Sequence, residues 1–466
     1  MRTGMSWLTA AAVFLGLGLR SYHYLRGPVL WHDEAALIVN VLDKDFISLL
    51  GPLRFHEAAP PLFLWLEKAV SLTLGDELLA LRLPPFLASC AALLLMVPIA
   101  RRLLPVAAVP WALLLFACSE QLSLHACEAK PYSFDVLAAT VLLALFCARE
   151  RLGLVRLLLV FALLAPVLLW LSYPACFLYG GVLTALLPAV WRERRTAAFV
   201  AYGLLAAAVA GAFLALVLGP AQAQRDPTIL TIWLSCFPDW NQPWTFPVWV
   251  TSSTLEIGRY ACKPLGQGLM MLAFAGGILS WRQQRRDVVV LLGLPVGLAL
   301  LAACLQRYPF GGVRVMVFAT PAVLLLAASV LPAALAWLGA RHRLAASALV
   351  LFMLVPVGVA LFRVVSPWPV ADNESVTAFV QAHREPDDPV TGNDWTHLYY
   401  SRRLGAAFHW AEEPILLRER VWVVWSEEAP PEERVLNAAS LAPAGWRVVE
   451  RFDALFTTAV LFAKRD

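Results

Sequence analysis

About eleven apolar stretches, each close to the roughly 20 residues that cross a bilayer as a helix, dominate this chain and leave it few folds. They fall at 5–24, 84–100, 106–122, 132–148, 153–171, 174–191, 196–218, 264–280, 288–304, 315–338 and 344–364. Inside a bilayer every backbone N–H and C=O must be satisfied within the protein, so a spanning segment is a helix or part of a closed barrel. Barrel strands read as alternating segments of roughly 10 residues. These runs are continuously apolar, so the expected class is an all-α polytopic membrane protein. Composition agrees: 60% of the 466 residues are hydrophobic and 15% charged, with mean hydropathy +0.68. A soluble domain has about 45–50% apolar and about 25% charged residues.

Lys and Arg collect on the cytoplasmic side of a membrane. The basic connections are Arg2, "ARR" (100–102), "ARERLGLVR" (148–156), "WRERR" (191–195), "WRQQRR" (281–286) and "ARHR" (340–343). All of them fall on one side when about eleven spans are threaded with the N-terminus inside, which puts the C-terminus outside. The first run is too long for a signal-peptide core and lacks a cleavage site, so it is expected to be retained. The segment 60–75 carries Glu67 and Lys68 and would invert every later basic loop if it crossed, so it is expected to be an interfacial or re-entrant helix.

This threading gives a membrane domain, 1–364, with outer loops at 25–83 and 220–262. A small extracytoplasmic α/β domain follows at 365–466, with a helix in "DNESVTAFVQAH", a strand in "VWVVWSE" and a strand pair from "GWRVVERF" onward. Of the eight cysteines, Cys90, Cys118, Cys147, Cys176 and Cys304 lie in or beside apolar runs and read as small hydrophobes. Cys236 and Cys262 share the second outer loop, where an oxidising compartment would permit a disulfide. Net charge is only +4, and no basic block with interleaved aromatics marks a nucleic-acid binder.

Two adjacent acids, Asp33 and Glu34, follow the first span in "PVLWHDEAALIVN". Three readings stand. Asp33 caps an amphipathic helix at about 34–44, with Leu37, Val41 and Leu42 towards lipid and Asn40, Asp43 and Lys44 towards water. Alternatively, a divalent cation gathers His32, Asp33, His56, His125 and Glu128, although no pair has the helical spacing of a zinc motif and no metal ligand is assigned. In the third reading Asp33 is a catalytic base, partly desolvated yet within reach of water. Other outer mouths also carry polar groups: Arg54, His56 and Glu57 in "LRFHEAAPPLFLWL", Arg82 in "ALRLPPFLA", His125, Glu128, Lys130 and Tyr132 in "SLHACEAKPYSFD", and Arg307, Tyr308 and Arg314 in "QRYPFGGVRV". Singly such residues anchor helices at the interface. Together, with acids among the cations, they are expected to bind an anionic substrate at the outer leaflet.

These motifs resemble the polytopic C-type glycosyltransferases, which include bacterial relatives of protein O-mannosyltransferases and of the lipid A aminoarabinose transferase. "WHDEA" after the first span, H-x-x-A-P-P-L-x-x-W-L, "CEAKPYSFDVL" and "YPFGGVRVMVFATPAVLLLAA" carry the resemblance over about residues 5–330. The aminoarabinose-type enzymes have a Lys before the paired prolines, where this chain has Ala59. The resemblance implies transfer of a sugar from a polyprenyl-phosphate donor to a glycan, lipid or protein acceptor, on the extracytoplasmic face of a bacterial inner membrane.

Chemistry of that kind needs a carboxylate about 2.6–3.2 Å from the acceptor hydroxyl. Asp33 matches the family's acid, with Glu34 in support and Glu128 as the second acidic position. A lipid phosphate leaves as a stable anion and needs positive charge rather than a general acid. Lys130 and Arg314 match the basic positions, and Arg82 and Arg54 are further candidates. His56, His125, Tyr132 and Tyr308 are placed at donor or acceptor. A single displacement inverts the anomeric carbon, and no cofactor is required. Two other functions compete. A secondary transporter would carry ionisable groups at mid-membrane and inverted repeats. A lipid-linked glycan polymerase or ligase would concentrate arginines in a large late loop, whereas 220–262 has one acid pair, Asp226 and Asp239.

Overall fold

The computed structural model describes residues 2–403, 408–410 and 419–464, so 404–407 and 411–418 of the expected C-terminal domain lie outside the described residues. The chain forms two compact units. One comprises Met1–Arg26 and Phe46–Ser366; the other comprises Gly27–Asp45 and Pro367–Asp466. The second unit is therefore more than a C-terminal appendage, because it takes in the part of the first outer loop that bears Asp33.

The first unit is helical throughout. Each expected apolar stretch is largely helical, 106–122 in separate pieces, and their lengths separate them. Among the described residues seven are long and apolar enough to cross a membrane: Leu78–Leu103, Leu154–Leu171, Ala175–Glu193, Thr196–Ala223, Arg286–Cys304, Arg314–Arg341 and Arg343–Val365. Pro243–Ala261 and Gly266–Arg282, bent by 101° at their junction, make an eighth when counted as one. Val106–Cys118 and Tyr132–Cys147 are shorter. Much of 220–262, expected as loop, is helix; Phe246–Ala261 is its longest piece. Pro61–Thr73, with 13 residues, measures about 20 Å and is shorter than the roughly 30 Å hydrocarbon core.

Small residues let these helices approach closely, which is how helices associate where lipid removes the hydrophobic drive. Gly276 faces Leu326 and Ser329 of Thr320–Arg341, and a Cβ there would overlap the Leu326 carbonyl. Gly16 of Arg2–Arg26 meets Leu93 and Ala117 in the same manner.

The expected span 106–122 is broken. Helix Val109–Cys118 stops at Ser119, whose hydroxyl accepts from Leu122 N–H and starts a new helix, Glu120–His125. A helix end leaves carbonyls without partners. Fully buried Arg20, from the first helix, serves two of them, donating to Phe116 O at 3.3 Å and Ala117 O at 3.2 Å, and also donates to Ser89 Oγ at 2.8 Å. Cys236 and Cys262 are separate buried thiols.

The second unit holds a five-stranded sheet of β1 (Val390–Gly392), β2 (His409–Trp410), β3 (Arg420–Ser426), β4 (Arg447–Ala454) and β5 (Thr457–Ala463), in the order β2-β1-β3-β5-β4. β3 pairs parallel with β1 and antiparallel with β5. Side chains alternate across a strand, so Trp422 and Val424 pack with Val376 and Val380 of helix Asn373–His383 on one face. Val421 and Val423 pack near helix Pro431–Ala438 on the other. The three expected elements, the "DNESVTAFVQAH" helix, the "VWVVWSE" strand and the final strand pair, are present.

Helix His32–Asp43 packs on Thr396–Arg403 within this unit. It differs from the expected capped surface helix. Trp31 is its N-cap and makes no side-chain capping bond, so Asp33 lies inside the first turn. Asn40, expected to face water, is fully buried and donates to Ala36 O at 2.8 Å. Ala35–Val41 are all buried, so no water-facing stripe runs down this helix.

Candidate active site

A second interruption follows the one at Ser119. Helix Glu120–His125 ends at His125, so residues 126–131 leave the helical path and place "CEAKP" between Glu120–His125 and Tyr132–Cys147. Lys130 N–H donates to Glu128 O at 2.8 Å, and Ser133 Oγ donates to His125 O at 2.8 Å, so the turn is fixed from both ends. Four of the expected site residues, His125, Glu128, Lys130 and Tyr132, are thereby buried close together in the chain.

Each has a specific partner. Lys130 Nζ donates to Glu57 Oε1 at 2.7 Å, with the lysine side chain 3% and the glutamate 12% exposed. His125 Nδ1 lies 2.9 Å from Glu128 Oε2, and its Nε2 lies 2.6 Å from the Tyr260 hydroxyl. With Nδ1–H on the carboxylate, a neutral ring accepts the tyrosine proton at Nε2. The His125 ring sits 4.7 Å from that of Tyr132. The Arg314 guanidinium lies 5.9 Å from the Tyr132 ring centroid and 5.4 Å from that of Trp233. Cation–π contacts of this kind orient a guanidinium without neutralising it.

Arg314 begins the short 3-10 helix Arg314–Ala319. Before it, Gly312 passes so close to Glu256 that a Cβ would come 2.7 Å from the Glu256 carbonyl. Tyr308, expected at donor or acceptor, spends its hydroxyl on Val315 O at 2.7 Å and packs edge-on against Phe177. Its visible work is to shape the turn that carries Arg314.

Glu57 arrives on a strained loop. Phe55 and His56 both have positive φ, 64° and 54°, a region that costs non-glycine residues free energy and tends to mark functional turns. His56 is exposed, and its Nδ1 lies 2.6 Å from Asp226 Oδ2. That bond, with help from the Thr228 backbone N–H, holds the Asp226 carboxyl below its ordinary range. Behind the loop, buried Gln224 ties the chain together: its Oε1 accepts from Ala59 N–H at 3.0 Å and from Tyr173 OH at 2.8 Å. Burial pushes the Tyr173 phenol well above its ordinary value.

The remaining expected residues have the following settings. Arg82 is buried between Leu78–Leu81 and Leu83–Leu103, and Arg54 is exposed with its guanidinium over the Phe55 ring. Asp33, half-buried, and Glu34, fully buried, belong to the second unit. The five residues weighed as a metal set are divided: His32 pairs with Asp394, His56 with Asp226 and His125 with Glu128. Among the described residues no group of three or more His, Cys, Asp or Glu side chains is placed to hold a metal.

The sequence singles out none of Tyr260, Trp233 and Gln224, and Asp226 only as half of an acid pair. They meet these partners across 51–170 positions, and no local pattern announces such contacts.

No family model matches the chain, and no curated relative matches its sequence. Solved structures do match its fold. ArnT from Cupriavidus metallidurans in the apo state superposes with a TM-score of 0.53 at 12% identity, covering 97% of this chain and 98% of that one. The same protein bound to undecaprenyl phosphate gives 0.51 at 14% identity, covering 98% and 97%. The archaeal oligosaccharyltransferase AglB from Archaeoglobus fulgidus, in complex with an inhibitory peptide and a dolichol-phosphate, gives 0.51 at 10% identity, covering 98% and 74%. Both are C-type glycosyltransferases, and at these identities the likeness establishes that this chain shares their fold.

Proposed function

We propose that the protein is an integral inner-membrane glycosyltransferase. It moves a sugar from a polyprenyl-phosphate donor to an acceptor on the extracytoplasmic face, with inversion at the anomeric carbon. The observation that carries this reading is the buried Lys130–Glu57 pair beside His125–Glu128–Tyr260 and the aromatic-braced Arg314, in a fold shared with a protein that binds undecaprenyl phosphate.

Lys130 and Arg314 hold the donor phosphate and the negative charge that builds on it as the sugar departs. Lys acts as a point charge and Arg as a fork that grips two oxygens. Glu57 keeps the ammonium oriented until donor enters. Glu128 orients His125 and, through it, Tyr260, which together present polar groups to the sugar or acceptor. Asp33 takes the acceptor hydroxyl proton as oxygen attacks the anomeric carbon and the lipid phosphate leaves with the bonding pair. Glu34 supports Asp33, and the chain crosses the membrane about eleven times with its N-terminus inside.

The test is incubation of purified protein with a panel of polyprenyl-phosphate sugars, scored for release of lipid phosphate. Wild-type protein is expected to consume at least one donor, and Asp33→Asn to consume none while remaining folded. An active Asp33→Asn variant removes the base assignment. Wild-type protein inert towards every donor removes the transferase reading.

A further inference from the structure

We propose that Asp394 and Trp395 of the C-terminal unit are positioning residues for the helix that carries Asp33, acting through His32. The proposal rests on the reading of Asp33 as the base.

Trp31, the N-cap of helix His32–Asp43, supplies no side-chain cap. The first residue of the helix, His32, meets residues more than 350 positions away. The His32 ring stacks on Trp395 with centroids 3.8 Å apart and planes at 19°. His32 Nδ1 lies 3.2 Å from Asp394 Oδ1. At the far end Asp43 pairs with Arg402, so both ends of the helix are tied to one segment.

The segment is itself braced. Asp394 Oδ1 accepts from Thr396 N–H at 2.9 Å and from Thr396 Oγ1 at 2.8 Å, and Thr396 Oγ1 accepts from Asn373 Nδ2 at 2.7 Å. Trp395 stands between two residues whose backbones are thereby held.

Consecutive helical residues differ by about 100° in direction. Holding the His32 ring in a stack with Trp395 and in a 3.2 Å polar contact with Asp394 therefore fixes the azimuth of its neighbour Asp33. A general base needs that orientation, since misplacement by about 1 Å can cost on the order of 100-fold in rate. Asp394 and Trp395 thus contribute to catalysis through His32 and not by acting on substrate themselves.

The experiment uses the full-length protein. Asp394→Asn keeps the oxygen that accepts from Thr396 and removes only the charge; Trp395→Ala removes the stack, and Trp395→Phe retains an aromatic face. Asp394→Asn and Trp395→Ala are expected to lower kcat roughly 10- to 100-fold with donor KM unchanged, and to raise amide hydrogen exchange at 32–36. Trp395→Phe should stay near wild type. In a His32→Ala background Asp394→Asn should add no further loss. Unchanged exchange over 32–43, a loss carried by KM instead of kcat, or full additivity with His32→Ala overturns the proposal. If wild-type protein consumes no donor, the transferase reading falls, and the exchange measurement alone decides whether these residues hold the helix.

Discussion

Lys130 and Glu57 form a buried ion pair at 2.7 Å between two segments, the turn after Glu120–His125 and the strained loop at 54–57. Removing one partner of a buried pair leaves an uncompensated charge, which is why such truncations are costly. Lys130→Ala should therefore raise donor KM strongly, by roughly 10- to 100-fold, the scale of a lost charge-assisted bond. Acceptor KM should move much less. Glu57→Gln leaves the ammonium without its counter-charge and should tighten binding of the free lipid phosphate. Titration of each variant with donor and with polyprenyl phosphate checks both; an unchanged donor KM in Lys130→Ala counts against the phosphate role.

Acid should loosen the C-terminal unit before it affects the helical one. His397 is fully buried, and burial, opposed by nearby Asp394 and reinforced by the charge of His32, brings its imidazole down to about 4. The unfolded chain takes up this proton near its ordinary value of 6.5, whereas the folded unit resists until about 4. The unfolded state therefore binds more protons in that window, and stability falls as pH drops from 6.5 to 4, by on the order of 3 kcal/mol. Asp394 adds a second, lower step. Burial raises its carboxyl, but the bond and charge of His32, the charge of His397 and the Thr396 N–H outweigh this and hold it at about 2. Its contribution is present above about 4 and is lost as pH falls towards 2. Hydrogen exchange of 373–403 in the full chain, followed from pH 7 to 4, checks the first step, and His397→Gln should flatten it.

What the sequence reveals here follows from the range of the forces involved. Apolar length is a local property, so the helical segments are legible, as are the short, largely apolar runs that form β3 and β5. The turn from His125 to Lys130 is legible too, because its residues are contiguous and polar between two apolar runs, whereas the break at Ser119 inside the expected span 106–122 is not. Asp33 as a helix cap is one of three readings open to the sequence, and it fails because the helix begins at His32 with Trp31 as its N-cap. The residues that His32 meets, Trp395 and Asp394, lie far along the chain and leave no mark on the local sequence. Tyr260 and Trp233 are illegible for the same reason, since a tyrosine in a helix and a tryptophan in a loop carry no mark of the histidine or arginine they meet.

The expected threading makes a geometric prediction that labelling can check. Ser48 is exposed and lies in the first outer loop, and Thr196 is exposed beside the basic "WRERR" connection. Ser172 lies on the same expected side as Ser48 but is fully buried and bonded to Asp135, so it would report burial in place of sidedness. In a cysteine-depleted background, Ser48→Cys should react with an impermeant maleimide in intact cells, and Thr196→Cys only after permeabilisation. Reaction of Ser48→Cys only after permeabilisation would invert the threading.

Adjacent glycines in one helix should respond oppositely to the same substitution. Gly276 lies against Thr320–Arg341, where a Cβ would overlap the Leu326 carbonyl and come 2.6 Å from Ser329 Oγ. A backbone carbonyl cannot swing away as a side-chain tip can, so Gly276→Ala must part the two helices. Overpacking of this kind typically costs about 1–3 kcal/mol. Gly277 has nothing within 4 Å of its would-be Cβ, and alanine there gains about 0.5–1 kcal/mol of helix propensity. Thermal unfolding in detergent should therefore show Gly276→Ala below wild type and Gly277→Ala at or above it. Equal midpoints for the two variants would mean that Gly266–Arg282 and Thr320–Arg341 are not in backbone contact at this position.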